Sequence, residues 1–214
     1  MRMLTRGLPV LALGVVSLTS PLMGQDVGTG SFKFYFGAYG GATVFETTAQ
    51  TDKAAGVAGA QFFVTAKRTA LRLSVEEMFS SDNQAVYSDP TAPAGVQTVS
   101  FNDIRKYSLM LIAVPLQGAI QPYIGVGVGW MHTVNPQVLG APADPDAALD
   151  EAKQRGSVGF GSGIAGVQIR TRGVAIFGSY QITSSPDNTK YLVGPTHTFV
   201  GGIRLSLGRS RETF

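Results

Sequence analysis

Two glycine patterns are the features of this sequence most easily taken for a site of chemistry. Residues 121–130 read QPYIGVGVGW, with glycine at positions 125, 127 and 129, and residues 161–166 read GSGIAG, a G-x-G-x-x-G pattern. Such a loop binds a dinucleotide only between a strand and a helix, with an acidic residue about 20 positions further on. The residues after GSGIAG alternate in polarity instead, and positions 179–185 hold no acid. We therefore predict no cofactor site.

Histidine is the next candidate for catalysis, and the chain has two, His132 and His197. A serine nucleophile needs a base within hydrogen-bond reach and a third group that orients the base. Ser184 and Ser185 could approach His197 across the connection between them, but nothing in the spacing requires it. Two histidines and scattered aspartates also fall short of a metal-ligand set. We predict no catalytic residues, no metal site and no enzyme activity, with a lipid-modifying enzyme as an alternative.

Five charged residues are more informative, because they lie opposite the apolar faces of alternating segments: Lys33, Arg72, Glu76, Lys106 and Arg204. Arg72 and Glu76 are four residues apart in one segment, so both face the same side of a strand. A buried carboxylate is costly unless it is paired. We therefore predict that one or more of the four bases bridge Glu76 inside a closed sheet. This network either fills and stabilises the interior or gates a small pore.

The N-terminal residues 1–24 have the layout of a secretory signal peptide. Arg2 and Arg6 precede a short apolar core at residues 8–18. The residues that follow, up to Gly24, are small or are of types tolerated near a signal-peptide cleavage site. Removal of the two arginines lowers the formal net charge from +3 to +1, so the basic balance gives no support to a nucleic-acid partner. The absence of cysteine excludes disulfides. Charged residues make up 14% of the chain, against about a quarter of a typical soluble domain.

Alternation of apolar and polar residues dominates from Phe32 onward and predicts β-strands. The first segment has about a dozen residues, long enough for a tilted strand to cross a bilayer. The facing of the sixth segment is ambiguous, because Ile164 is out of phase with Ala165 and Val167. The eight predicted strands cover about 32–44, 55–66, 69–79, 101–114, 121–130, 157–170, 173–183 and 196–207.

The connections between these strands alternate in length. Those after the second, fourth and sixth strands are tight, at 67–68, 115–118 and 171–172. Those after the first, third, fifth and seventh are longer and polar, at 47–52, 80–100, 134–156 and 184–194, with a possible helical turn at 144–154. Short turns on one rim and long loops on the other are typical of bacterial transmembrane barrels.

The polar faces distinguish a membrane barrel from a soluble one of the lipocalin type. A soluble barrel turns its apolar face inward and carries charges outside. The charges here are too few for such an exterior and suit a narrow polar lumen. We therefore expect Trp130 and Phe79 to face lipid near the outer rim as an aromatic girdle. The three glycines of QPYIGVGVGW then face the lumen and leave room for larger side chains, with Tyr35, Tyr39 and Arg72 as candidates.

At this point the chain resembles the small outer-membrane β-barrel proteins of the OmpA-type transmembrane domain, including the "outer membrane protein beta-barrel domain" group. The residues that carry this resemblance are QPYIGVGVGW, GVAIFGSYQIT and HTFVGGIRLSLG, together with the signal peptide. In this family an aromatic residue at the end of the last strand is read by the assembly machinery. Phe214 ends this chain, but it is out of phase with Phe199, Ile203 and Leu207.

The resemblance and the residue patterns predict an all-β fold, an eight-stranded antiparallel up-and-down transmembrane β-barrel with short periplasmic turns and long outer loops. We expect a signal peptide at 1–24, the barrel at 25–208 and a tail at 209–214. The predicted role is that of a monomeric outer-membrane protein of a Gram-negative cell, structural or interacting, with a mostly side-chain-filled lumen. Its expected partners are outer-membrane lipids and the barrel-assembly machinery. A narrow, porin-like pore or carrier for small molecules is the first alternative.

Overall fold

A computed structural model of the chain contains, among the residues that it describes, nine strands and one helix. The structure describes residues 32–89, 92, 94–116, 118–140, 142, 144–171, 173–184 and 190–207. The predicted signal peptide, the tail at 209–214 and Phe214 lie outside these residues. The elements are β1 Lys33–Thr47, β2 Lys53–Ala66, β3 Thr69–Ser88, β4 Val96–Ala113, β5 Ile120–Val134, β6 Gln137–Leu139, α1 Pro145–Arg155, β7 Ser157–Arg170, β8 Val174–Thr183 and β9 Leu192–Ser206.

Eight of these strands close into an antiparallel barrel, which confirms the predicted fold. The order around the wall is β3-β2-β1-β9-β8-β7-β5-β4, and pairing of β3 with β4 closes the ring. The short β6 adds to the outer part of β4 between Thr98 and Ser100. Closure leaves no unpaired edge in the wall, as a membrane requires. Among the described residues, no helix is long and apolar enough to cross a membrane.

The register of the strands fixes the tilt and width of the barrel. One row of paired residues starts at Lys33 and returns to β1 at Thr43, ten residues along the strand; it passes through Thr65, Ala70, Ile112, Gly125, Ile164, Gln181 and Thr198. Ten residues of about 3.3 Å, set against eight strand spacings of about 4.8 Å, give a tilt of about 40°. A barrel of this size has an interior just wide enough for side chains.

The two faces of the wall differ as the alternation predicts. On β5, Ile124, Val126 and Val128 point outward with 62%, 68% and 62% of their surface exposed. Buried side chains fill the lumen in two clusters, one centred on Tyr123 and Met110 and a larger one towards the long loops. The sixth predicted strand is now unambiguous, because Ile164 lies inside the lumen.

The lengths of the connections confirm that the barrel has one rim of short turns and one rim of longer connections. One, here called the short-turn rim, holds the beginning of β1, the end of β9 and the turn at Lys67, whose φ is 51°. The opposite long-loop rim is more regular than predicted. The expected loop at 80–100 is wrong, because β3 continues to Ser88 and β4 begins at Val96. The register between β3 and β4 shifts between Phe79 and Asn83, so the two strands stay paired beyond Phe79 while the alternate set of β3 residues points inward.

The predicted helical turn at 144–154 is an eleven-residue helix, α1. Asp144 caps it, because its side chain accepts hydrogen bonds of 3.1 Å from the backbone N–H groups of Asp146 and Ala147. Pro145 occupies the first turn, where its missing N–H costs nothing. The buried face of the helix carries Ala148 and Ala152, so α1 is packed against the rim and is part of the fold.

Candidate functional site: the charged lumen and its cap

A buried ion pair lies at the centre of the lumen. Glu76 on β3 and Lys106 on β4 are cross-strand neighbours, and the Nζ of Lys106 contacts the Oε1 of Glu76 directly. Tyr39 donates a hydrogen bond of 3.2 Å from its hydroxyl to the other carboxylate oxygen. Gly59 makes room for this tyrosine, because a Cβ there would lie 2.5 Å from Tyr39 Cζ. Both charged residues are 2% exposed, and each oxygen of the buried carboxylate has a contact with a side chain of the lumen.

Arg72 lies four residues before Glu76 on β3 and also points into the lumen. Its Cζ is 5.3 Å from the centre of the Tyr39 ring, a cation–π contact. Its Nη1 lies 3.5 Å from the sulfur of Met110, a weak acceptor. Among the described residues, no carboxylate lies within ion-pair distance of Arg72, which is 1% exposed.

Arg204 on β9 occupies the short-turn half of the lumen, between two aromatic rings. Its Cζ is 4.3 Å from the ring centre of Phe63 and 4.0 Å from that of Phe177. Its Nη1 donates a hydrogen bond of 2.6 Å to Gln168 Oε1, and its Nη2 lies 3.5 Å from Gln61 Oε1. The guanidinium is therefore held by rings on its faces and by neutral amides at its edge.

Of the four bases that could bridge Glu76, Lys106 does so, whereas Lys33 lies at a different height of the barrel. It is half-buried at the start of β1, six residues before Tyr39. Six residues of strand span about 20 Å, well beyond the reach of a lysine side chain. The sequence prediction also missed Arg170, whose Cζ is 5.1 Å from the ring centre of Tyr35 at the short-turn end.

Two glutamines that carry the amide network were also missed. Gln168 Nε2 donates a hydrogen bond of 2.8 Å to Gln121 Oε1, and Gln121 donates one of 3.0 Å to the carbonyl of Gly118. The signal was present in the spacing, because Gln168 follows Ile164 by four residues and so shares its inward face. The ambiguous phase of the sixth segment concealed it.

The glycines of QPYIGVGVGW face the lumen as predicted, but the predicted occupants of the space are wrong. A Cβ at Gly125 would lie 2.9 Å from Ile112, and one at Gly127 would lie 2.7 Å from Met110. Phe160 fills the space beside Gly129. These neighbours come from the strands on either side of β5, so the bare stripe accommodates its immediate cross-strand partners.

The motif GSGIAG lies wholly within β7, and strand β8 follows it. A phosphate-binding loop would need a turn and a helix there. The structure therefore has no dinucleotide-binding unit at this motif.

A cluster of mostly aromatic buried residues lies at the long-loop end of the lumen, and we call it the outer cap: Tyr87, Phe101, Ala152, Tyr191 and Leu192. Tyr191 stacks on Phe101 with ring centres 6.0 Å apart and an interplanar angle of 12°, and it lies 6.3 Å from Tyr87. Burial raises the pKa of Tyr191, and of Tyr87 to a smaller extent. The cap joins the β3–β4 hairpin, α1 and the start of β9.

The two histidines lie on the outer wall, and none of the serines that the structure describes is bonded to either of them. His132 stacks on Tyr107 at 6.1 Å, and His197 Nδ1 is 2.6 Å from the hydroxyl of Tyr180. Ser184 accepts a hydrogen bond of 2.9 Å from the backbone N–H of Gly161 instead. Ser185 lies outside the described residues. Within the described part of the chain, no three acidic or histidine side chains are grouped to hold a metal.

Trp130 and Phe79 both lie on the outer wall, 54% and 53% exposed. Trp130 pairs with Tyr107 across β4 and β5. Just beyond them towards the long loops, Arg105 Nε contacts Glu77 Oε2 at 2.6 Å, also on the outside. Aromatic side chains followed by charged ones mark the edge of an apolar band.

An apolar groove of about 610 Å³ runs across the outer wall of β1 to β5 and reaches Tyr107 and Trp130 at this edge. Side chains such as Phe62, Leu109 and Val128 form its sides. The groove opens outward and belongs to the surface that would contact lipid.

Comparison with known proteins identifies the fold of this chain but does not assign the chain to a family. No family model matches the chain, and no curated protein matches it. Among solved structures, Neisserial surface protein A (NspA) is similar at 9% sequence identity and a TM-score of 0.57, covering 81% of this chain and 97% of that one. The outer membrane protein OprG from Pseudomonas aeruginosa is similar at 13% identity and a TM-score of 0.39, covering 82% of this chain and 91% of that one. The likeness to NspA shows that this chain has the fold of an eight-stranded outer-membrane barrel.

Proposed function

We propose that this protein is an integral outer-membrane barrel with a closed lumen, which acts through its structure and its outer surface and not through transport or catalysis. The observation that carries the proposal is that buried side chains occupy the lumen at three successive levels. Arg204 and its rings fill the short-turn half, the Glu76–Lys106 pair crosses the middle, and the outer cap closes the long-loop end.

The apolar band supports residence in a membrane. The outward residues of β5 extend from Ile120 to Trp130, ten residues apart. At a tilt of about 40° this distance spans about 25 Å, the height of the lipid-facing band of outer-membrane barrels. β5 and β8 contain no charged residue, and Arg170, the one charge of β7, lies on its inward face. Export would depend on the predicted signal peptide, with the long loops outside and the short turns in the periplasm.

The contacts of the histidines favour a protein without catalysis. His197 is engaged with a tyrosine, and Ser184 with a backbone amide, so this pair lacks the geometry of a nucleophile and its base. A girdle role at the edge of the membrane suits both histidines better than an acid–base role.

The first test concerns insertion in the membrane. The full chain is expressed in a Gram-negative host, and its membranes are fractionated. We expect the protein in the outer-membrane fraction, with faster gel mobility before boiling than after it. A soluble protein with no mobility shift would refute the barrel proposal.

The second test concerns the lumen. The purified barrel is reconstituted in planar bilayers, beside Glu76→Ala and a control, Arg105→Ala, which removes a charge from the outer wall. We expect no conductance steps from any of the three, because the outer cap still closes the lumen when Glu76 is shortened. Steps from the unaltered protein would favour a pore, and steps from Glu76→Ala alone would favour a gate at the ion pair.

A further inference from the structure

The buried charges of the lumen do not balance. Four charged side chains are fully buried among the described residues: Arg72, Glu76, Lys106 and Arg204. Three cations and one carboxylate give these buried side chains of the lumen a net charge of +2. The carboxylate is already in contact with Lys106. Burying a charge that has no counter-charge costs several kcal/mol per ion. A narrow lumen with this excess favours an anion over a cation or a neutral molecule.

Several hydrogen-bond donors of the two arginines and of the neighbouring Gln61 also lack a partner. Arg72 has no partner for Nε and Nη2, Arg204 has none for Nε, and the Nε2 of Gln61 has none either. All three side chains are at most 2% exposed. Four buried N–H-bearing nitrogens without acceptors are unusual, because buried donors are nearly always paired.

The register brings the three residues together. Gln61 on β2 is paired through Gly37 on β1 with Arg204 on β9, and its Oε1 faces the guanidinium of Arg204. On its other side, Gln61 lies two residues from Phe63, the cross-strand partner of Arg72. Gly37 contributes no side chain between them. The two guanidinium groups therefore approach the same section of the lumen, Arg72 from β3 and Arg204 from β9, with β2 and β1 between them.

We propose that this section of the lumen binds one small inorganic anion of the chloride class, between Arg72, Arg204 and Gln61. The site supplies N–H donors and positive charge, while Phe63 and Phe177 cover the faces of Arg204 and exclude bulk water. A compact monovalent anion fits donors that converge from three strands of so narrow a barrel. The anion accepts the hydrogen bonds that the wall leaves unmade and lowers the excess charge.

The test measures stability against anion at constant ionic strength. The refolded full-length barrel is unfolded in urea with sodium gluconate progressively replaced by sodium chloride, and separately by sodium bromide or sodium sulfate. A ligand that binds only the folded state lowers the unfolding constant by the factor one plus its concentration over Kd. We expect the halides to raise the urea midpoint, with about a hundredfold lower unfolding constant at about 100 times Kd. Sulfate should have a smaller effect.

The variants identify the site. Arg72→Met and Arg204→Met should each abolish the halide effect, while Arg105→Met, which removes an outer-wall guanidinium, should keep it. No halide effect, an effect kept in both lumen variants, or an equal effect of sulfate would each overturn the proposal. Should a lumen variant fail to fold, crystals of the unaltered protein soaked in bromide decide the matter. An anomalous peak beside Arg72 and Arg204 supports the site, and only ordered water there overturns it.

Discussion

The central ion pair should respond unequally to removal of its two partners, because the lumen already carries excess positive charge. Glu76→Gln keeps the shape of the side chain but raises the net buried charge from +2 to +3. Lys106→Met removes a cation and lowers the net charge to +1. The free energy of unfolding should therefore decrease as the net positive charge of the lumen increases, and should not depend only on the loss of the Glu76–Lys106 contact.

The magnitudes follow from the partners that each variant leaves behind. Breaking a buried pair on one side costs about 3–5 kcal/mol, because the remaining charge is uncompensated. We expect Glu76→Gln to cost that amount, since it leaves Lys106 and two arginines without a carboxylate. In Lys106→Met, Glu76 keeps the hydroxyl of Tyr39, and Arg72 lies against the same tyrosine ring. The lysine variant should therefore lose only about 1–2 kcal/mol, roughly one charge-assisted hydrogen bond.

The assay is equilibrium unfolding in urea, followed by the fluorescence of Trp130, the one tryptophan of the chain. Gluconate buffers keep halide binding out of the comparison. The double variant Glu76→Gln/Lys106→Met completes the cycle and should be less destabilised than Glu76→Gln alone. An outer-wall control, Glu77→Gln, breaks an exposed pair and should cost at most about 1 kcal/mol. A lysine variant as unstable as the glutamine variant would refute the reasoning from lumen charge.

Two further predictions concern β7 and the outer cap. Gly166→Ala should lower the free energy of unfolding by about 1–3 kcal/mol, because the new Cβ would lie 2.5 Å from Tyr123 Cζ. Gly163→Ala should leave that free energy unchanged or raise it by about 0.5–1 kcal/mol, because the new Cβ would meet only Ile182, at 3.6 Å. Urea midpoints would check both, and equal losses would contradict the one-sided packing. Tyr191 has a raised pKa, so the folded state retains its proton longer and the barrel should lose stability as the pH rises above about 10. Tyr191→Phe, which also removes a buried hydroxyl without a partner, should weaken this alkaline loss between about pH 8 and about pH 11, and an unchanged loss would contradict it.

The transmembrane part of the fold could be predicted from the sequence because each strand there has one apolar face and one polar face. The alternation fails beyond Phe79, where the register shift changes the inward set from Met78 to Asn83 and Ala85. Local polarity at 80–84 therefore indicated a loop, although pairing with β4 continues. Long-range pairing, invisible in a single segment, decides the outcome.

The same limit applies to the charged lumen. Alternation predicts that Arg72, Glu76 and Lys106 point inward, but the choice of Lys106 as the partner of Glu76 depends on the register between β3 and β4. Lys33 has the right phase and lies at the wrong height, which only the position of Glu76 along the barrel reveals. The orphaned donors of Arg72 and Arg204 could not be found from the sequence, because they depend on the absence of a nearby acid in three dimensions.

The outer cap restricts how the exposed end of this protein can change over evolutionary time. Tyr87 at the end of β3, Ala152 on α1 and Tyr191 just before β9 share one cluster. A surface loop that hangs free can be replaced without effect on its neighbours, but a change at one of these three positions would uncover the other two. Sequence drift and grafted peptides should therefore be tolerated at exposed tip positions of the β3–β4 hairpin such as Ala94, and resisted at the buried Ala92 and at the base of the hairpin. The long-loop end of the barrel would then vary in sequence at its exposed tips, while the residues of the outer cap stay constant.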